Sequence, residues 1–348
     1  MWTFCTAFLT RASSTANILI DILLWIEEDL NNNPKITLLN FGTAGNLQLN
    51  VPLVSFGSGK PVLTVQTCLH GDETAGLMIC SRLMKPLRKC QLNGTVQFVI
   101  AANPLAQAAR SRVNQLDFED MNRQGQGDLN GKLAARLAAI LFETLKTSDF
   151  VIDLHEYDLI TPAMALYIPG GSHEVNRTAL EGIACFQPEF VWSVKEDHSS
   201  LIAALAGAGV PGFGVETTQA DLLSPADLQA VVQALLRVID YLGILEGRMG
   251  EIKPVKAYQR ETVRSELSGI WEPLMEPLVE LTKGQVVGKF SPLPLLEEQT
   301  ITSPGDGVLL QVAWSKLVFT GTELFALGKL DKELTIELEE ACRRVTNN

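Results

Sequence analysis

The sequence lacks an apolar run long enough to cross a membrane. A spanning helix needs about 20 predominantly apolar residues, whereas the apolar stretch at 1–30 is broken by Arg11 and Asp21. It also lacks the basic start and continuous apolar centre of a signal peptide. The apolar spacing over 18–26 instead predicts an amphipathic helix that packs on the protein. We therefore expect no contact with a membrane.

Paired cysteines and an excess of positive charge are also missing. The six cysteines are scattered without a C-x-x-C motif, which is typical of reduced thiols in a cytoplasmic protein rather than of a disulfide framework. Lys and Arg number 28 against 40 Asp and Glu, so the net charge is −12. A chain this acidic is not expected to bind nucleic acid, although a local basic pocket is compatible with it.

The composition is that of a globular chain with a sizeable core. Its length of 348 residues predicts two domains. From residue 52 to about 250, apolar strands alternate with amphipathic helices, which predicts an α/β fold with a largely parallel sheet and helices on both faces. Beyond a polar connector near 250, short strands with turn signals predict a small all-β unit. We therefore place the domains at 1–250 and 251–348.

Two of the four histidines lie where predicted strands end. His70 and Glu73 form an H-x-x-E turn after the apolar strand "PVLTVQTCL", and His155 lies near the end of "DFVIDLHEY". Ligands bind at the carboxyl ends of strands in open α/β sheets, and nitrogen with oxygen donors suits zinc. The three residues are candidate ligands of one zinc ion. Each motif alone is equally compatible with a surface turn or a polar strand end.

The remaining candidates are one neighbour of His155 and the two other histidines. Asp153 lies two residues before His155 and shares its strand face, so it is a candidate partner that orients this ligand. His173 follows a Gly-Gly-Ser turn, and His198 lies in the polar segment "KEDHSS". We expect both to be loop residues rather than ligands.

Arginines and one isolated acid suggest a substrate and a base. Arg112, Asn122 and Arg123 lie between the two metal motifs, and guanidinium groups bind carboxylates in a bidentate manner. They indicate an anionic substrate group, unless they are surface arginines paired with nearby acids. Glu216 stands in the apolar strand "GFGVETTQ", where it is either a general base for water or a strand-end acid in solvent.

Taken in order, the motifs "HGDE", "NP" leading through Arg112 to "DMNR", "DLH" and "GVE" resemble the succinylglutamate desuccinylase/aspartoacylase family. This family belongs with the zinc carboxypeptidase-like hydrolases, and the match covers roughly residues 50–250. The resemblance implies a mixed carboxypeptidase-like sheet. It also implies zinc ligands at His70, Glu73 and His155, a general base at Glu216, a carboxylate clamp at Asn122 and Arg123, and Arg112 near the scissile carbonyl or a second anionic group.

The C-terminal part resembles the β-domain of bacterial family members, similar to a biotinyl/lipoyl-type barrel-sandwich. The turn "SPGDGV" has no lysine at its tip, so we expect neither biotin nor lipoate there. We expect this unit to pack against the catalytic pocket. The chain departs from many relatives in reading Thr217-Thr218-Gln219 after the acid. Some relatives contribute a tyrosine to the pocket, and this chain has three candidates for it: Tyr157, Tyr167 and Tyr258.

Together these features predict a cytoplasmic, zinc-dependent amidohydrolase that cleaves a small, anionic N-acyl amino acid at a carbon–nitrogen bond other than a peptide bond. A metallocarboxypeptidase acting on a peptide C-terminus is the alternative enzyme, because it needs the same carboxylate clamp. A metal-binding interaction protein without turnover is the third reading, and Glu216 argues against it. A homo-oligomer is compatible with the sequence.

Overall fold

The computed structural model describes residues 32–194 and 199–347. The predicted N-terminal helix and His198 lie outside these residues. The strands are β1 (Lys35–Ala44), β2 (Leu47–Gly57), β3 (Val62–Thr67), β4 (Thr95–Val99), β5 (Phe150–Tyr157), β6 (Met164–Tyr167), β7 (Val191–Ser193), β8 (Gly212–Thr218), β9 (Ala257–Arg264), β10 (Gly269–Pro273), β11 (Glu280–Leu281), β12 (Val286–Pro292), β13 (Gln299–Thr302), β14 (Gly307–Val312), β15 (Lys316–Val318) and β16 (Glu323–Leu330). The α-helices are α1 (Ala75–Leu87), α2 (Pro104–Ala109), α3 (Leu133–Leu145), α4 (His173–Phe186), α5 (Leu201–Gly207), α6 (Pro225–Tyr241) and α7 (Lys332–Asn347), and a 3₁₀ turn spans Met121–Arg123.

A mixed sheet of twelve strands organises the described chain. Its order is β1-β2-β4-β3-β5-β8-β6-β7-β9-β16-β14-β11. Strands β4, β3, β5 and β8 are parallel to one another, whereas both outer parts of the sheet are antiparallel. A second sheet has the order β13-β12-β10-β15. The predicted α/β fold with a mixed sheet is confirmed. The expectation of a largely parallel sheet is wrong, because six of the eleven strand pairings in this sheet are antiparallel.

Helices cover both faces of the central strands, since a buried strand presents alternate residues to opposite sides. In β5, Phe150, Ile152 and Leu154 pack in the core cluster that includes α1, α4 and α6. Val151 lies between them in sequence but packs in the cluster formed with α3 and α5. The central strands therefore read as continuous apolar runs in the sequence.

Hydroxyl caps set the starts of two helices that flank the sheet. Ser224 accepts a hydrogen bond from Asp227 N at the start of α6. Ser172 does the same for Val175 N at the start of α4. The expectation that His173 is a loop residue is therefore wrong. The Gly-Gly-Ser turn ends at a capping serine, and His173 is the first residue of the helix that follows.

The chain after residue 250 is joined to the main sheet and core. Strand β9 pairs in parallel with β7 through Val191–Ala257 and Trp192–Tyr258, and β16, β14 and β11 extend the same sheet. Helix α7 then returns to the first part, where its buried face joins the main core cluster. None of the helices in the described part of the chain has the length and apolar character of a membrane span.

Candidate metal centre and substrate pocket

The turn after β3 brings the first candidate ligands to the edge of the sheet. His70 and Glu73 lie between β3 and α1. The chain turns sharply here, because Cys68 has a positive φ of 52°. Gly71 packs against the backbone of α2 so closely that a Cβ atom would lie 1.9 Å from the carbonyl carbon of Ala106. Glycine is therefore needed to bring the turn into position.

His155 lies on β5, the parallel neighbour of β3, so the two carboxyl ends meet. His70 Nδ1 is 2.6 Å from Glu73 Oε1, and His155 Nδ1 is 2.8 Å from Glu73 Oε2. One ligand atom of each residue lies within 4.8 Å of the other two, and all three residues are buried. Two imidazole nitrogens and a carboxylate oxygen at this spacing fit a zinc ion. Within the described residues, no other cluster of His, Cys, Asp or Glu has this geometry.

A carboxylate lies against the other ring nitrogen of each histidine. His155 Nε2 is 2.9 Å from Asp153 Oδ2, and the second oxygen of Asp153 accepts a hydrogen bond from Gln66 Nε2 at 3.0 Å. His70 Nε2 is 3.2 Å from Asp120 Oδ1. Such partners fix the ring orientation and the tautomer of a ligating histidine. The structure thus places Asp153 against His155, Asp120 against His70 and Gln66 against Asp153.

The buried histidines and acid shift one another's pKa values. Burial opposes the charge on His155, but Asp153 and Glu73 outweigh it and raise its pKa well above the usual value. Burial likewise disfavours ionised Glu73, but His155 and His70 lower its pKa. Burial opposes the charge on His70 as well, but the hydrogen bonds that its ring makes to the carboxylates of Asp120 and Glu73 outweigh burial and raise its pKa. The cluster therefore holds Glu73 as a carboxylate, the form that binds a metal.

Glu216 is buried at the same edge of the sheet. It lies on β8 as the register partner of His155 on β5, and only 9% of its surface is exposed. Burial raises its pKa to about 7, although the His155 charge acts in the opposite direction. Its Oε2 atom has no hydrogen-bond partner in the described part of the protein. Glu216 is thus not a strand-end acid in solvent, and its carboxylate faces the cavity.

The three residues predicted to bind substrate lie on the wall beside the metal candidates. Arg112 donates through Nε and Nη2 to Asp120 Oδ2, at 3.1 and 2.9 Å. Arg112 is therefore paired with a nearby acid, which was the alternative to binding an anionic substrate group. Arg123 Nη1 donates to the Asn122 carbonyl at 2.8 Å. Arg123 is exposed, and within the described residues its side chain hydrogen-bonds only to this carbonyl. In this part of the chain its guanidinium is therefore available to an incoming anion.

One cavity of about 790 Å³ is lined by the three candidate ligands, by Glu216 and by the three predicted substrate-binding residues: His70, Glu73, His155, Glu216, Arg112, Asn122 and Arg123. This volume is within the range of small-molecule sites. Its other walls carry Leu159, Leu166, Trp192 and Val194. Of the three candidate tyrosines, Tyr157 lines this cavity, whereas 167 and 258 are not part of its wall.

The C-terminal part of the chain also lines this cavity, through Arg264, Thr322 and Glu323. The buried Arg260 pairs with Glu323 and lies over the rings of Tyr157 and Trp192, at 4.8 and 5.0 Å from their centroids. The stacking of Arg260 on the two rings holds the C-terminal strands β9 and β16 against Tyr157 and Trp192 of the pocket.

Sequence reasoning missed several of these residues. Asp120 had a signal, since it stands two positions before Asn122 in "DMNR". Arg264 and Glu323 had none, because they lie more than a hundred residues beyond the metal motifs and carry no motif of their own.

Comparisons with known proteins agree with this geometry. Residues 60–242 match the sequence profile of the succinylglutamate desuccinylase/aspartoacylase catalytic domain. The N-alpha-acetyl-L-2,4-diaminobutyric acid deacetylase of Halomonas elongata is 26% identical over 268 residues, which are 73% of this chain and 78% of that protein.

Solved structures show the same fold. A succinylglutamate desuccinylase from Silicibacter sp. TM1040 has a TM-score of 0.75 at 19% identity, covering 87% of this chain and all of the other. The product-bound ectoine utilization protein EutE (DoeB) from Ruegeria pomeroyi has a TM-score of 0.74 at 19% identity, covering 86% and 99%. The profile match spans more than half of the chain and confirms the resemblance drawn from the motifs. The protein therefore belongs to the succinylglutamate desuccinylase/aspartoacylase family.

Proposed function

We propose that this protein is a zinc-dependent amidohydrolase that removes the acyl group from a small N-acyl amino acid. One observation carries the proposal: the His70-Glu73-His155 group, Glu216 and Arg123 line the same cavity. This combination provides a metal site, a base and a group that binds an anion. We propose one zinc ion per chain, held by those three ligands.

The metal and the general base have separate tasks in this proposal. When bound, the zinc ion acts as a Lewis acid that polarises the acyl carbonyl and lowers the pKa of a water molecule. Glu216 accepts a proton from the attacking water and delivers it to the leaving nitrogen. Its burial and its raised pKa, about 7, suit a group that both takes and gives a proton near neutral pH. The products are a carboxylic acid and the free amino acid.

The arginine wall orients the substrate. Arg123 binds the substrate carboxylate, and Asn122 lies beside it with its Oδ1 accepting from Leu201 N at 3.1 Å. That bond anchors Asn122 to the start of α5 and leaves its amide nitrogen for the substrate. Arg112 is held by Asp120 with Nη1 3.8 Å from Glu73 Oε1, so its guanidinium lies beside the metal group and can stabilise negative charge on the carbonyl oxygen. Fixing both ends of the substrate aligns the scissile bond.

The C-terminal wall favours a small substrate over a peptide. Arg264, Thr322 and Glu323 line the same cavity as Arg112 and Arg123, so the C-terminal part of the chain limits the room for a longer peptide. We propose that residues 251–348 act as a barrel-sandwich-like unit that restricts the pocket. The Halomonas relative is a deacetylase of an acetylated amino acid, which supports the same substrate class.

Metal analysis of the purified protein and a hydrolysis screen test the proposal. We expect about one zinc per chain and turnover of N-acetyl or N-succinyl amino acids. Hydrolysis of dipeptides without turnover of any N-acyl amino acid would instead establish a carboxypeptidase. Bound zinc with no hydrolysis of either class would establish the non-catalytic alternative.

A further inference from the structure

A second cavity lies outside the metal centre, where the helices α4 and α7 meet the strands β6 and β7. Its volume is about 580 Å³, which is also within the range of small-molecule sites. Leu166 pairs in register with Trp192, and both line the cavity of the metal centre. The next pair, Tyr167 with Ser193, lines the second cavity instead. Because neighbouring side chains of a strand point to opposite faces, β6 and β7 separate the two cavities.

Two hydroxyl groups of this second cavity are buried without a partner. Only 4% of Tyr167 and 9% of Ser193 are exposed. Within the described residues, neither hydroxyl group makes a hydrogen bond. A buried tyrosine hydroxyl usually has a hydrogen-bond partner, because losing water without replacing it costs free energy. A polar ligand in the second cavity would supply that partner.

The second cavity also carries more acid than its cations neutralise. Its two arginines are already paired, Arg177 with Glu174 and Arg344 with Glu181 at 2.7 Å. In the part of the chain that the structure describes, no cation forms an ion pair with two of its acids, Glu333 and Glu337. The full set of acids that line the cavity is Asp331, Glu333, Glu337 and Glu340. This balance of charge favours a ligand that is a cation.

The acids and the tyrosine hydroxyl act on one another. Burial raises the pKa of Tyr167, and the negative charge of Glu337 raises it further. Partial burial raises the pKa of Glu337 itself, and His173 only partly offsets this shift. Three acidic neighbours add to it: Glu333, Glu340 and Asp331. A positive charge between Glu337 and Tyr167 would therefore be stabilised by several groups at once.

The spacing of the acids and the apolar part of the wall indicate which cation fits. Within the described residues, only the metal centre brings three His, Cys, Asp or Glu side chains within 4.8 Å of one another, so no three acids of the second cavity share a metal ion. Pro169, Leu180 and Leu334 also line the cavity and suit a hydrocarbon chain. An ammonium group has three hydrogens to donate to carboxylate and hydroxyl oxygens. We infer that the second cavity binds a small aliphatic amine, with its ammonium group held by Glu337 and the hydroxyl of Tyr167.

Isothermal titration calorimetry of the full chain with the diamine putrescine tests this inference. We expect saturable binding of one putrescine per chain below about 10 mM, and no binding of the neutral diol of the same chain length. Glu337→Gln removes the charge and keeps the shape of the side chain, so affinity should fall by about 10- to 100-fold. The matched control is Glu339→Gln, because Glu339 lies on the same helix but does not line the cavity. It should bind putrescine like the wild type.

A second variant tests the hydroxyl independently of the acids. Tyr167→Phe deletes one oxygen and keeps the buried ring, so it should fold normally and weaken binding by about 2- to 10-fold. Circular dichroism and thermal melting establish that each variant is folded. Absence of putrescine binding by the wild type overturns the inference, and so does equal binding of the diol. Unchanged affinity in folded Glu337→Gln and Tyr167→Phe would place the amine elsewhere and overturn it too. Calcium chloride that binds in place of putrescine, and is lost in Glu337→Gln, would make this a metal site instead.

Discussion

Replacing Glu216 with glutamine should separate catalysis from metal binding. Glutamine keeps the shape of the side chain but cannot accept the proton of the attacking water. General-base catalysis contributes about 10²- to 10⁴-fold, so we expect kcat/KM for an N-acyl amino acid to fall by that factor. The zinc content should be unchanged, because Glu216 is not among the three clustered ligands. An assay of amine release combined with metal analysis measures both quantities.

The same substitution should stabilise the metal-free protein in a pH-dependent way. Burial raises the pKa of Glu216 from 4.5 to about 7. The unfolded chain therefore releases this proton first as the pH rises, so ionisation favours unfolding. At 1.36 kcal/mol for each pH unit, the cost to the wild type reaches roughly 3 kcal/mol above pH 7 and is absent well below pH 4.5.

Urea unfolding in the presence of a chelator tests this sign. The stability advantage of Glu216→Gln over the wild type should widen by roughly 2 kcal/mol between pH 5 and pH 8. An advantage that stays constant or shrinks over this range would refute the buried, unpartnered state of the carboxylate. Full hydrolytic activity in the folded variant would refute its role as the base.

Three further substitutions test other parts of the molecule. His155→Ala should lose the bound metal while His173→Ala retains it, as measured by metal analysis after dialysis; equal retention would contradict the ligand assignment. Arg123→Lys should lower kcat/KM by about 10- to 100-fold, mainly through KM, because an ammonium cannot bind a carboxylate in a bidentate manner. The control is Arg136→Lys at an exposed position; a similar loss there would show that the effect is not specific to Arg123. Trp271→Ala should cost about 3–5 kcal/mol in urea unfolding, since it removes a fully buried side chain; a loss below 1 kcal/mol would show that the small sheet is not packed around it.

The parts of the fold that follow from local sequence were predictable. The strands over β3 and β5 are short, continuous apolar runs, which is typical of strands covered on both faces. The helices α1, α3 and α6 each have one apolar stripe, and Ser224 caps the start of α6. His173 was misassigned, because the same Gly-Gly-Ser letters fit both a loop and the cap of a helix.

The candidate metal ligands were predictable for a similar reason. His70, Glu73 and His155 occupy the ends of recognisable strands, and parallel strands place their carboxyl ends at one edge. Glu73 and His155 are 82 residues apart in the sequence, so their spacing gives no sign that they are close. Their positions at strand ends predicted that they meet.

The sequence alone determined the central strands, the helices α1, α3 and α6, and the residue types that stand at the strand ends. Only the tertiary structure decided that Asp120 contacts both His70 and Arg112, and that Arg260 and Glu323 bring a distant β-strand pair to the pocket. Periodicity and capping act over a few residues, whereas these contacts depend on the order of strands in the sheet. That order is set by the packing of the whole chain, and no short stretch of residues encodes it.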